Sequence, residues 1–184
     1  MLRAIAKAID TVSRGLNRVA LGGAILAVLV MVCAVGYQVV ARYIFFSPPP
    51  WTEEIARYAM IWAGLLGASA AFRAHADPTL FPQMQRLGGG TGMVLALGRA
   101  VGVLLFAAPV LYFSVFGTGM NPMRGFIMRS YDKSTGVTDV SLLFVAGAVP
   151  LVFCLIVVHL LADLAMRAAS LPTNRWSSNE SKEI

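Results

Sequence analysis

Apolar positions gather into four long runs, set apart by polar, charged or proline-rich stretches. Val19 to Ala41 is uncharged between Arg18 and Arg42, and a second run extends from about Glu53 to Phe72. A third covers Ala100 to Thr118, headed by Arg99 and interrupted by Pro109, whose ring kinks a helix. The fourth runs from Ser141 to Ala162, just before Asp163. A helix needs about 20 apolar residues to cross a hydrocarbon layer about 30 Å thick. The pattern therefore predicts an all-α polytopic protein, with four transmembrane helices forming one bundle within residues 1–170. Residues 171–184, ending "PTNRWSSNESKEI", read as a polar cytoplasmic tail.

Ahead of the first run, Ile5, Ile9, Val12, Leu16 and Val19 recur at steps of four and three. Arg3, Lys7, Arg14 and Arg18 lie mostly off that stripe, which predicts an N-terminal amphipathic helix on the membrane surface. A plain helical start to the first span is the alternative. The segment has no apolar centre before residue 19 and no small-residue cleavage site, unlike a signal peptide. "RLGGGTG" predicts a flexible turn between spans two and three.

Composition strengthens the membrane reading. The chain is 58% hydrophobic and 13% charged, with a mean hydropathy of +0.72. Its net charge of +6 would suggest nucleic acid in a soluble protein, but most of the basic residues flank apolar runs. Membrane lipids and topology explain them, and no nucleic-acid partner is expected. An N-in, C-in orientation places ten Lys and Arg on the cytoplasmic side and five outside, as the positive-inside rule asks. Cys33 and Cys154 each lie in a long apolar run without a CxxC partner, which disfavours thiol–disulfide chemistry.

Charge enters the second run in one unusual place. Glu53 and Glu54 stand side by side at its mouth, followed by Arg57, after the stiff reversal made by Pro48 to Pro50. Thr52 is placed to cap a new helix, and carboxylates in a first turn gain about 0.3–1 kcal/mol each from the helix dipole. Glu53 and Arg57 have the favourable i, i+4 order, and Trp51, Tyr58 and Trp62 fit an interfacial aromatic belt. Behind Arg57 the uncharged run is only Tyr58 to Phe72, about 22 Å of helix. The charged turn therefore needs snorkelling, local thinning or shielding by protein. Arg42 and Arg57 are expected to meet the two glutamates, either bracing spans one and two or contacting a partner. Ala59, Ala63, Gly67 and Ala71 make an every-fourth-residue ladder of small side chains, a face that admits close approach by another helix.

The stretch "YQVVARYIFFSPPPWTEEIARYAMIWAGLLGASAAFRAHAD" resembles the small membrane subunit, the DctQ-like component, of tripartite ATP-independent periplasmic (TRAP) transporters. Gln38, Val39, Arg42 and Tyr43 match the family's first element. Trp51, Thr52, Glu53, Glu54, Ala56, Arg57 and Tyr58 match its second, and Trp62, Gly67, Ala68, Arg73 and His75 its third. "HADPTLF" departs from the usual spacing between the His and a later Asp, which leaves His75 and Asp77 without an inherited role. The resemblance implies a bacterial inner-membrane subunit that scaffolds a large multi-span TRAP membrane subunit. It implies ion-gradient-driven uptake of an organic acid or similar solute, delivered by a periplasmic solute-binding protein. Trp51, Glu53, Glu54 and Arg57 become partner-contact or hairpin-locking residues on this reading, and "GTGMNPMRGFIMRSYDKSTGVTD" a place for the binding protein to touch.

Rival functions have thinner support in the residues. A haem-binding anchor subunit would use His75 and His159, both near the same ends of their spans. An enzyme would need clustered nucleophiles, acids or metal ligands, which Ser69, Ser114, Ser141, Cys33 and Cys154 do not provide; His159 and Asp163, four apart, are placed to bond each other. A stand-alone carrier would need charged groups in mid-span, where Gln38 is the most polar deep side chain. No cofactor, metal site or catalytic residue is expected.

Overall fold

The computed structural model describes residues 2–74, 89–117, 120–131, 133–134, 136–137 and 139–170. Among these residues six α-helices follow one another: α1 (Leu2–Tyr43), α2 (Trp51–Arg73), α3 (Gly89–Val115), α4 (Phe126–Tyr131), α5 (Leu142–Ala146) and α6 (Ala148–Ser170). Among the described residues four stretches are long and apolar enough to cross a membrane: Arg3–Tyr43, Trp51–Arg73, Gly90–Val115 and Leu142–Ala169. α1 and α2 form an antiparallel hairpin, α6 packs on both, and α3 packs on α6.

The burial pattern is inverted relative to a soluble bundle. Along α1 the buried positions are Ala6, Ser13, Ala20, Ala24, Ala34 and Ala41, and with half-buried Ala27 all of them but Ala24 fall on an unbroken seven-residue repeat. Ile5, Val12, Val19, Ile25, Leu26, Leu29 and Val32 face outward. Lipid is as apolar as leucine, so helices here gain most from close van der Waals approach, and small residues permit it. A strict seven-residue period keeps one seam facing its neighbour along the helix. At the seam's centre Ala20, Ala24, Leu66 and Val152 form the buried cluster, with Trp62, Leu65, Leu155 and Ile156 packed against it. The tightest point is Gly23, where an added Cβ would stand 3.0 Å from Leu66 Cδ1.

Several expectations change. The N-terminal segment is not a separate surface helix: it continues without a break into the first span, because nothing between Leu2 and Tyr43 stops a helix. Of its apolar stripe, Ile5, Val12 and Val19 face away from the bundle and Ile9 and Leu16 are half-buried, while Ala6 and Ser13 are buried and Arg3 Nε donates to the Ala169 carbonyl at 3.3 Å. The third span starts earlier than Ala100, since Gly89 to Gly92 belong to α3 rather than to a turn, and it ends at Val115. The fourth span reaches beyond Ala162 to Ser170 and is broken at Gly147. Pro150 has no N–H for the Ala146 carbonyl, so the ladder loses a rung there while Leu151 bonds back to Gly147 at 3.2 Å.

α1 and α2 are joined through a tight corner in which Phe46 adopts a left-handed φ of 54° and is 84% exposed. Beyond α3, Gly117 N–H donates to the Asn121 carbonyl at 3.0 Å, and Gly125 lies so close to the Val115 carbonyl that a Cβ would stand 2.2 Å from it. These approaches fold the short 3-10 turn Pro122–Arg124 and α4 back against the end of α3.

Candidate functional site

Polar side chains gather at the two ends of the bundle, and the described residues between them are apolar or small. At the Trp51 end, Pro50 rather than Thr52 caps α2. Thr52 is fully buried, and its hydroxyl donates to the Pro49 carbonyl at 2.7 Å, fastening the proline turn from inside. Arg57 Nη2 meets Glu53 Oε1 at 3.0 Å, but both side chains are largely exposed, at 60% and 66%. An exposed pair of this kind contributes about 0–1 kcal/mol. Glu54 is buried and accepts from the Tyr58 hydroxyl.

Arg42 does not join the glutamates. It is exposed and makes no ion pair among the described residues, because the hairpin is fastened by packing instead. Tyr37 stacks on Trp51 with centroids 5.7 Å apart. Trp62 packs on Phe144 at 5.3 Å, with its indole N–H buried and without a partner among the described residues. Of the small-residue ladder, Ala59 is buried; Ala63, Gly67 and Ala71 are half-buried, and Gly67 looks onto open space. The buried residues of α2 are Thr52, Glu54, Ala59, Leu66, Ser69 and Ala70.

At the Arg73 end the structure assembles a network that spacing did not reveal. Arg73 Nη2 binds Asp10 Oδ1 at 2.8 Å, and Arg73 Nη1 donates to Ser13 Oγ at 2.5 Å. Ser13 Oγ lies 2.7 Å from His159 Nδ1. Asp10 also takes Arg14 at 3.0 Å. Three helices thus meet in one chain of bonds, with Ser13 0% and His159 2% exposed. The expected His159–Asp163 pair does not form: Asp163 receives Arg167 Nε at 3.1 Å, since a cation four residues on outcompetes a ring already held by Ser13. Arg99 packs on Phe72, its guanidinium 4.2 Å from the ring centroid and Nη2 3.4 Å from the Phe72 carbonyl. A cleft of about 180 Å³ opens here, lined by Asp10, Phe72, Arg73, His159, Ala162, Asp163 and Met166.

Among the described residues no three His, Cys, Asp or Glu side chains stand close enough to hold a metal. The cleft falls below the roughly 300–1,000 Å³ that drug-sized ligands occupy, and His159 already spends Nδ1 on Ser13. His75 and Asp77 lie outside the described residues. Cys33 and Cys154 are free and face outward.

The model of the family described as tripartite ATP-independent periplasmic transporters, DctQ component, matches residues 31–170. The chain belongs to this family. A DctQ component is the small membrane subunit of a TRAP transporter, a transporter part rather than an enzyme. It is accordingly a multi-pass protein of the bacterial inner membrane. No curated protein matches the chain. The matched stretch takes in the hairpin corner, Arg73 and His159, but begins after Asp10 and Ser13.

Proposed function

We propose that this DctQ component braces the large multi-span membrane subunit of its transporter and carries no solute itself. The large subunit moves an organic acid or similar solute inward on an ion gradient, after a periplasmic binding protein delivers it. Both termini are cytoplasmic on this reading, so the Trp51 corner faces the periplasm and the Asp10–Arg73–His159 network faces the cytoplasm.

The observation that carries the proposal is the closed middle of the bundle. Between the two polar ends, Ala20, Ala24, Leu66 and Val152 are packed together without a polar path. A route for an anion needs polar or charged groups at depth. By contrast, the outward faces offer what a neighbour needs: Gly67 with open space beside it, and the exposed Trp51, Glu53 and Arg57 at the hairpin mouth.

Purification of tagged protein from its native membrane in mild detergent tests this directly. The expected result is recovery with one large multi-span companion, reduced when Glu53→Ala and Glu54→Ala are combined. Solute uptake by vesicles containing this chain alone would overturn the proposal.

A further inference from the structure

Beyond α3 the chain turns back on itself and brings two arginines to one pocket. Gly117 makes the close return possible, since a Cβ there would stand 2.4 Å from Arg124 Cβ. Backbone bonds hold the returning segment: Arg124 N–H donates to the Asn121 carbonyl at 3.1 Å, and Arg129 N–H to the Gly125 carbonyl at 3.0 Å. The pocket measures about 470 Å³, and its described lining residues are Phe113, Gly117, Arg124, Phe126 and Arg129. That volume falls within the roughly 300–1,000 Å³ of ligand sites. Neither arginine takes part in an ion pair among the described residues. Asp139 is exposed and does not line the pocket, and Asp132 lies outside the described residues.

The surroundings narrow the kind of anion that fits. Met120, Met123, Met128 and Tyr131 stand exposed around the two arginines, as do the Phe113 and Phe126 rings. Large apolar side chains beside guanidiniums suit the boundary between hydrocarbon and water better than a face turned wholly to water. Depth agrees. α3 rises about 24 Å from Arg99, beside Phe72, to Val115. The pocket just past Val115 therefore lies where a hydrocarbon layer about 30 Å thick gives way to headgroups. The planar donor fork of arginine matches the oxygens of a phosphate.

We infer that this pocket holds the phosphodiester of an anionic phospholipid, taken from the leaflet at the Trp51 end. Arg124 and Arg129 donate to the phosphate, and the Phe113 and Phe126 rings flank the glycerol and the first acyl carbons. The site stands apart from the bracing role, needs no companion subunit and holds for either orientation of the chain.

Thermal unfolding of the purified full-length protein in detergent, titrated with dihexanoylphosphatidylglycerol, inorganic phosphate or phosphate-free dihexanoylglycerol, tests the assignment. Saturable stabilisation by the phospholipid, matched by neither of the other two, is expected. Arg124→Gln and Arg129→Gln, at exposed positions, are read independently. Each is expected to weaken the apparent affinity about tenfold, as the loss of one hydrogen bond to a charged group does. Lys133→Gln removes the same charge from the same loop at a residue that does not line the pocket. It is expected to change the affinity by less than about twofold, because exposed charges at a distance are screened. An unsaturable or absent response to the phospholipid overturns the site, as does equal stabilisation by inorganic phosphate or dihexanoylglycerol. Undiminished affinity in both arginine variants, or an equal loss in Lys133→Gln, overturns it too.

Discussion

Ser13→Ala removes a single oxygen and, because the position is fully buried at a helix seam, opens almost no new space. It takes away the acceptor for Arg73 at 2.5 Å and the partner of His159 Nδ1 at 2.7 Å. A bond to a charged group is worth about 1.5–3 kcal/mol and a neutral one about 0.5–1.5 kcal/mol, so the two together suggest about 2–4 kcal/mol. The lower half of that range is expected, since Arg73 keeps Asp10 and water can reach the cleft beside it. Unfolding in mixed micelles, followed by circular dichroism, reads the change in free energy. A double-mutant cycle with His159→Phe isolates the shared bond, and residues within one network ordinarily couple by about 0.5–3 kcal/mol. A cost below about 0.5 kcal/mol with no coupling would refute the claim that this network fastens three helices.

The two ends of the bundle should respond differently to charge removal. Arg57→Ala is expected to change stability of the isolated subunit by less than about 1 kcal/mol in the same unfolding assay, because its pair with Glu53 is exposed. Asp10→Asn should cost more than that, leaving Arg73 held at only 18% exposure without its carboxylate. Gly23→Leu forces side-chain bulk against Leu66 and should destabilise the hairpin by about 1–3 kcal/mol. Gly67→Leu should leave the isolated subunit's melting temperature unchanged, since none of the described residues stands there, and should reduce co-purification of a large companion. Unimpaired co-purification would remove the small-residue ladder from the partner surface.

The spans were legible because hydrocarbon thickness sets a length that composition satisfies in only a few ways. Which face of each helix turns inward was harder to read. The stripe Ile5, Ile9, Val12, Leu16 and Val19 carries the visible periodicity, but Ile5, Val12 and Val19 point away from the bundle and only Ile9 and Leu16 are half-buried, whereas the inward face is the quiet repeat Ala6, Ser13, Ala20, Ala27, Ala34 and Ala41. Large aliphatic side chains mark the inside only when water is the outside. The hairpin charges illustrate a second limit: i, i+4 spacing correctly paired Glu53 with Arg57, but it also suggested His159 with Asp163, which Ser13 and Arg167 prevent. Ser13 meets partners 60 and 146 residues away, and no local spacing rule connects them. The signal that could have found it is the lone hydroxyl within an alanine seam, flanked by Asp10 and Asn17 at the same seam's other positions.

The unbroken course of α1 over 42 residues, about 63 Å, has a mechanical corollary. An unbroken rod without proline answers a thinner or thicker bilayer more readily by leaning than by folding at a hinge. Because Arg3 is fastened to Ala169 and Asp10 to Arg73, leaning carries the ends of α2 and α6 along with it. Local membrane thickness is thereby converted into a concerted sideways swing of three helix tips.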